Sequence, residues 1–312
     1  MISMRYHIVS LTAIFLALAL GIVLGATKIS SPILAGLQTD KTSLSGQNEQ
    51  LSTDNSSLSA RVSSDDKFSA SVANLAVRGT LPNVTVVLIT TADADPGDRD
   101  AILSLLSRSG AKVTAQIQLT ADFSDPSHAD DLRTLSARVL PTGAKLPAVS
   151  QVGAVAGGLL ASVLLTDKTG KATAKPDQAT AALSALAGGG FLQTSGIVVP
   201  GRLVVVLTGA AVTGGSEADR ASSIADLAIQ LKQTAGGVVV AGRAGSAEGT
   251  GTVGVIRQNA AGSALVTTVD NVDTPSGRLA TVLGLVEQNG GGVGRYGYAA
   301  GAQAQIPTLG VG

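Results

Sequence analysis

Residues 8–26 read IVSLTAIFLALALGIVLGA, nineteen consecutive positions without a charge. At ~1.5 Å per residue a helix of this length spans about 28 Å, close to the hydrocarbon thickness of a bilayer. Arg5 precedes the run and favours a cytoplasmic N-terminus, residues 1–7, while Lys28 follows it closely. The segment reads as an uncleaved transmembrane helix. A cleaved signal peptide is the competing reading, but its apolar core normally covers about 7–15 residues and ends in an A-x-A-like site. Val23 and Gly25 make only a poor version of such a site.

The next stretch carries a second periodic signal. Ser30 and Ser31 are residue types that cap a helix, and Pro32 suits a first helical position because no backbone N–H is needed there. Leucines then recur at Leu37, Leu44, Leu51 and Leu58, a strict spacing of seven. With these at d, the a positions are Leu34, Lys41, Asn48, Asn55 and Val62. Polar a residues lower stability but specify register, and this pattern predicts a coiled coil over residues 32–78 whose seam includes Asn48 and Asn55. Gly36, Gly46 and many Ser and Thr are poor helix formers, so an ordinary amphipathic helix lying on its own domain is the competing reading. Extended, residues 33–78 would reach about 70 Å. Gly79-Thr80-Leu81-Pro82 ends the segment.

The remainder has the pattern of an α/β domain, residues 82–312. Residues 84–90, VTVVLIT, form an almost continuous apolar run, as in a strand buried on both faces. Helical patterning follows over 99–109, strand character over 112–119, and a second helical stretch from Pro126. Residues 203–207 and 238–240 are further buried strands, with helices expected over 217–232 and 277–287. Strands alternating with helices imply parallel crossovers and a doubly wound, mostly parallel sheet. Residues 149–165 are apolar and too short for a comfortable span, and Gly153, Gly157 and Gly158 suit a close-packed buried helix. We read them as a helical insertion near 149–190, with an intramembrane helix as the lesser alternative.

Little in this domain points to chemistry. Twenty-two basic and twenty-two acidic residues give no net charge, so no nucleic-acid footprint is visible. The absence of cysteine excludes disulfides and thiolate-ligated metal sites. Asp93, Asp95, Asp98 and Asp100 crowd a loop at a strand end, where open α/β sheets place ligands, and a hard cation is one reading. Turn chemistry and capping of the next helix is the simpler one. The Gly-rich stretches 188–190 and 209–215 match neither a dinucleotide fingerprint nor a P-loop. A Ser-His-Asp triad would require His128, and no nucleophile elbow supports it. No catalytic residue, cofactor site or metal ligand set is assigned, and an enzyme is not expected. Arg202, Arg243, Arg257 and Arg295 are of the type that contacts an anionic partner, although surface arginine is ordinary.

The opening MISMRYHIVSLTAIFLALALGIVLGATKISSPIL, the leucine heptads and the VTVVLIT strand together resemble the mycobacterial copper transport protein B (MctB) family over essentially the whole chain. The resemblance implies an envelope protein of copper efflux and resistance, described as pore-forming in the outer membrane. Corynebacterial SteB-type proteins are similar as well. That branch implies a dimeric coiled-coil regulator of cell division and peptidoglycan hydrolysis with a cytoplasmic partner. The expected partners are therefore a membrane, a second copy or a higher homo-oligomer through the coiled coil, and an envelope or cytoplasmic protein. Copper would be a transported ion rather than a cofactor, and no ligand set carries over. Copper(I) favours Cys and Met and copper(II) imidazole, whereas this chain has no Cys, Met only at Met1 and Met4, and His only at His7 and His128. Seven aromatic residues cannot build the two girdles of an outer-membrane barrel. The membrane that holds the anchor, inner or outer, stays open at this point.

Overall fold

A computed structural model describes residues 4–167, 169–211 and 213–308 of the chain. The chain forms two compact units, Met1–Asp65 and Asp66–Gly312.

The first unit is a single helix. Helix α1 runs from Met4 to Ala76, 73 residues, and its last turns belong to the second unit. It continues through Pro32, where the sequence points to a fresh helix start. Proline in a helix interior costs about 3 kcal/mol. A break there would instead leave four N–H and four C=O groups without intrahelical partners at two new ends. Ser30, Ser31 and Leu34, the expected caps and first seam residue, lie among the side chains of residues 26–35, outside the described residues.

The second unit is a doubly wound α/β fold. Strand β1 (Thr85–Thr90) leads into α2 (Pro96–Ser109) and β2 (Lys112–Leu119). Then come α3 (Ala121–Ser124), a 3-10 turn (Pro126–His128), α4 (Ala129–Arg138), α5 (Val152–Leu164) and α6 (Pro176–Gly188). Strand β3 (Leu192–Ser195) precedes β4 (Leu203–Leu207), α7 (Glu217–Lys232) and β5 (Gly237–Ala241). The chain closes with α8 (Thr252–Gln258), α9 (Ala260–Leu265), β6 (Thr267–Val269), α10 (Pro275–Asn289) and β7 (Arg295–Tyr296). The sheet order is β3-β2-β1-β4-β5-β6-β7. Every neighbouring pair is parallel except β2 with β3.

Alternation along the strands explains why the apolar runs are unbroken. Val87, Ile89, Val204, Val206, Val238 and Val240 enter a core shared with α4, α5, α6 and α7. Val86, Leu88, Leu203, Val205, Leu207 and Val239 enter the opposite core, made with α2, α10 and residues Ala73 and Val77. All ten residues of β4 and β5 are buried. Each such Val or Leu contributes roughly 1.5–3 kcal/mol of burial. Helix α5, from the apolar segment 149–165, lies in the first core with eleven buried residues. A Cβ at Gly153 would run into the backbone of Ser223 on α7, so glycine is what allows the two helices to approach.

The helix boundaries follow local chemistry. Asp95 caps α2, accepting hydrogen bonds from the N–H groups of Gly97 (2.7 Å) and Asp98 (3.3 Å), and Pro96 occupies the first position. Gly110 ends α2 at φ +86°, the left-handed conformation in which its N–H reaches back to the last turn.

Candidate functional site

The functional features fall into three groups, and the first is the apolar end of α1. Residues Met4–Gly25 form a 22-residue segment of mean hydropathy 2.6, none of it buried by the rest of the chain. Such a helix meets the length and composition needed to cross a bilayer. Its backbone is internally bonded, and Thr12 donates its hydroxyl to the Ile8 carbonyl at 2.8 Å, so this polar side chain is satisfied within the helix.

The second group is the heptad line. Leu37, Leu44, Leu51 and Leu58 are between 61 % and 68 % exposed on α1, with Val62 exposed further along. Lys41, Asn48 and Asn55 are exposed at the intervening positions. A regular row of solvent-facing leucines is the kind of surface that a second helix covers.

The third group sits at the carboxyl edge of the sheet. Leaving β3 aside, the strand order runs 2-1-4-5-6, so the crossovers reverse direction between β1 and β4. Open α/β sheets bind ligands in the crevice that such a reversal opens. Here the two loops are clasped together: Asp93 accepts the Thr91 hydroxyl and the Gly209 N–H, the latter at 3.1 Å. Beside the clasp remains a cleft of about 70 Å³, whose wall includes Leu119, Thr120, Ser124, Thr208, Arg220 and Ile224. Arg220 is held from outside by Asp125 at 2.7 Å.

The acidic loop that drew attention in the sequence is built into the fold. Asp98 is buried, 2.7 Å from Arg278 and 3.2 Å from Arg243, and Arg243 also reaches Asp95 at 3.2 Å. The N–H groups of Gly97 and Asp98, then Arg243 and Arg278, hold the Asp95 carboxyl below the ordinary range. Asp125 is held low in the same way, first by the Ser127 hydroxyl and N–H and then by Arg220. Turn chemistry, capping and ion pairing therefore account for these carboxylates. Among the described residues no group of three or more His, Asp or Glu converges as a metal cluster.

The geometry gives two further groups of side chains a defined setting. Arg243 and Arg257 are internal clamps rather than free contacts for an anionic partner. Arg257 is 7 % exposed and donates to Asp270 (2.7 Å), the Thr268 hydroxyl (3.0 Å) and the Tyr296 carbonyl (2.9 Å). These partners lie 11 to 39 residues along the chain, a distance that residue pattern cannot bridge. His128 does meet a hydroxyl and a carboxylate, Ser127 Oγ at 3.3 Å and Asp122 at 3.9 Å, but both face the same nitrogen, Nδ1. A catalytic relay needs the base and its orienting group on opposite ring nitrogens. Burial, then Glu287, raises the Tyr296 phenol above its ordinary range, leaving it a hydrogen-bond donor at neutral pH.

An exposed apolar helix of membrane-spanning length, followed by a doubly wound α/β unit, defines the class as a membrane-associated α/β protein. The chain belongs to the family described as copper transport outer membrane protein, MctB, which matches residues 1–307. It is 34 % identical over 310 residues to the copper transporter MctB of Mycobacterium tuberculosis and to that of Mycobacterium bovis. In both cases the match covers 97 % of this chain and 98 % of the relative. The copper transporter MctB of Mycobacterium leprae is 33 % identical over the same span.

Proposed function

We propose that this protein serves copper transport in the cell envelope as a membrane-anchored homo-oligomer. The end-to-end similarity to proteins named copper transporters carries the reading, because it includes the apolar helix and the heptad segment as well as the α/β unit. In this account residues 8–26 anchor the chain and residues 32–78 join copies through Leu37, Leu44, Leu51, Leu58, Asn48 and Asn55. The α/β unit is exported. Any conducting path is made by apolar helices from several copies. The sheet is an unsuitable wall for one, since it is an open sheet with both faces packed against helices.

The exposed leucine line favours a second reading, in which the protein is a coiled-coil scaffold or regulator of division and wall hydrolysis. Copper content of cells separates the two. Deleting the gene is expected to raise cellular copper and copper sensitivity, reversed by the full-length protein and not by a version lacking residues 1–30. Unchanged copper together with a division or wall defect would instead support the scaffold.

A further inference from the structure

We propose that the amino-terminal end of the apolar helix is a copper(I) site made by the Met4 thioether and the His7 imidazole. The proposal rests on the copper reading above and gives that cargo a place on the chain.

Copper(I) is a soft ion that selects sulfur donors and also accepts imidazole. The chain has no Cys, two Met and two His, so its whole stock of such side chains is four residues. Three of the four are Met1, Met4 and His7, each three residues from the next. The fourth, His128, is in the α/β unit, with its Nδ1 turned to Ser127 and Asp122. Scarcity therefore does not mean dispersal: three of the four fall within seven residues of sequence, and Met4 and His7 stand at one end of one helix.

The geometry of α1 makes the grouping usable. Met4 and His7 both lie in the helix, where positions three apart are surface neighbours with Cβ atoms about 5–6 Å apart. One ion bridging Sδ and a ring nitrogen fits that separation. Met4 is 80 % exposed and His7 is exposed as well. The charge-free run begins at Ile8, directly after His7, which puts the pair at the mouth of the span and not in its interior.

The surroundings favour copper over harder ions. No carboxylate occurs before Asp40, so calcium or magnesium would find no anionic oxygen near the helix start. Arg5 lies between the two ligands, and its long side chain can carry its charge away from the ion. Neither a thioether nor an imidazole brings the negative charge of a thiolate, so an ion held there is released more readily than from a thiolate cage. A cargo site needs such release.

The test is a titration of the full-length protein in detergent micelles with copper(I), kept reduced by ascorbate and competed against bicinchoninate. About one copper(I) per chain is expected, in keeping with a single soft-donor group. Met4→Leu and His7→Asn should each weaken it at least about tenfold, the lower end of what disturbing a metal site's supporting residues costs. His128→Asn should leave it unchanged. Wild-type binding no tighter than that of the Met4→Leu/His7→Asn protein would overturn the site, as would loss of binding in His128→Asn. Copper flux into proteoliposomes, run in parallel, keeps the two claims apart. Binding that depends on Met4 and His7 without flux retains the site and removes the transport reading. Flux that is indifferent to both residues does the reverse.

Discussion

At the scale of single residues, the charged side chains divide by burial. Arg257 and Asp270 are 7 % and 2 % exposed, and Asp270 also accepts the Tyr298 and Ala299 N–H groups. Removing one member of such a pair strands the other in a low-dielectric interior. Arg257→Met should therefore lower stability by about 3 kcal/mol. Urea unfolding followed by tyrosine fluorescence checks this, because Tyr296 and Tyr298 are neighbours of the pair and the chain has no tryptophan. Arg133 with the exposed Asp130 is the control, where substitution should change little. Asp226 on α7 is the opposite case. Burial alone raises its carboxyl above the ordinary value of 3.8. Its charged form thus opposes folding, and the penalty is complete once the pH exceeds the raised folded value. Asp226→Asn should stabilise the protein at pH 7, with the gain disappearing as the pH falls toward 4. A constant gain across that range would contradict the assignment. Asp95, Asp125 and Asp167 run the other way: their carboxyls are held low, so their contribution is fully present above the ordinary value of 3.8 and is lost as the pH falls from there through the lowered folded values.

At the scale of elements, the heptad segment of α1 carries the next prediction. Leu44 and Leu51 lie at the middle of the leucine line and are exposed in a single chain. Leu44→Asp together with Leu51→Asp should convert the full-length protein from an oligomer to a monomer by sedimentation in detergent, while the α/β unit stays folded. An unchanged oligomer would place the association elsewhere. Legibility in sequence followed burial. Strands β1, β4 and β5 announced themselves because burial on both faces requires unbroken apolar residues, while β2, KVTAQIQL, showed itself by alternation, with Ala115, Ile117 and Leu119 buried. Helix α5 was readable from its glycines, which α7 needs for close approach. Strand β3, LQTS, has one buried residue at the sheet edge, and β7 is two residues long, so neither imposes a pattern. Strand β6, TTV, is fully buried but too short for a period to appear. The end of the long helix was visible at residues 79–82, just past its last turn at Ala76, but the burial of its last turns was hidden. Ala73 and Val77 pack into the second core, and nothing in a Ser-rich helical stretch distinguishes those turns from the ones before them. At the carboxyl edge, the cap at Asp95 was visible as a local motif, whereas the Arg243 and Arg278 clamps join residues up to 180 positions apart.

At the scale of the whole molecule, the helix of membrane-spanning length and the folded core are different parts of the chain. The α/β unit buries its own sheet on both faces. The apolar helix Met4–Gly25 buries nothing within the chain. A transport role in this account depends on the apolar helices of several copies coming together, since one helix encloses no path. In this account the heptad segment brings them together. Planar-bilayer recording of the purified full-length protein tests this most directly. The account predicts defined conductance steps that disappear both in the Leu44→Asp/Leu51→Asp protein and when residues 1–30 are absent. A silent bilayer from folded, oligomeric full-length protein would contradict it.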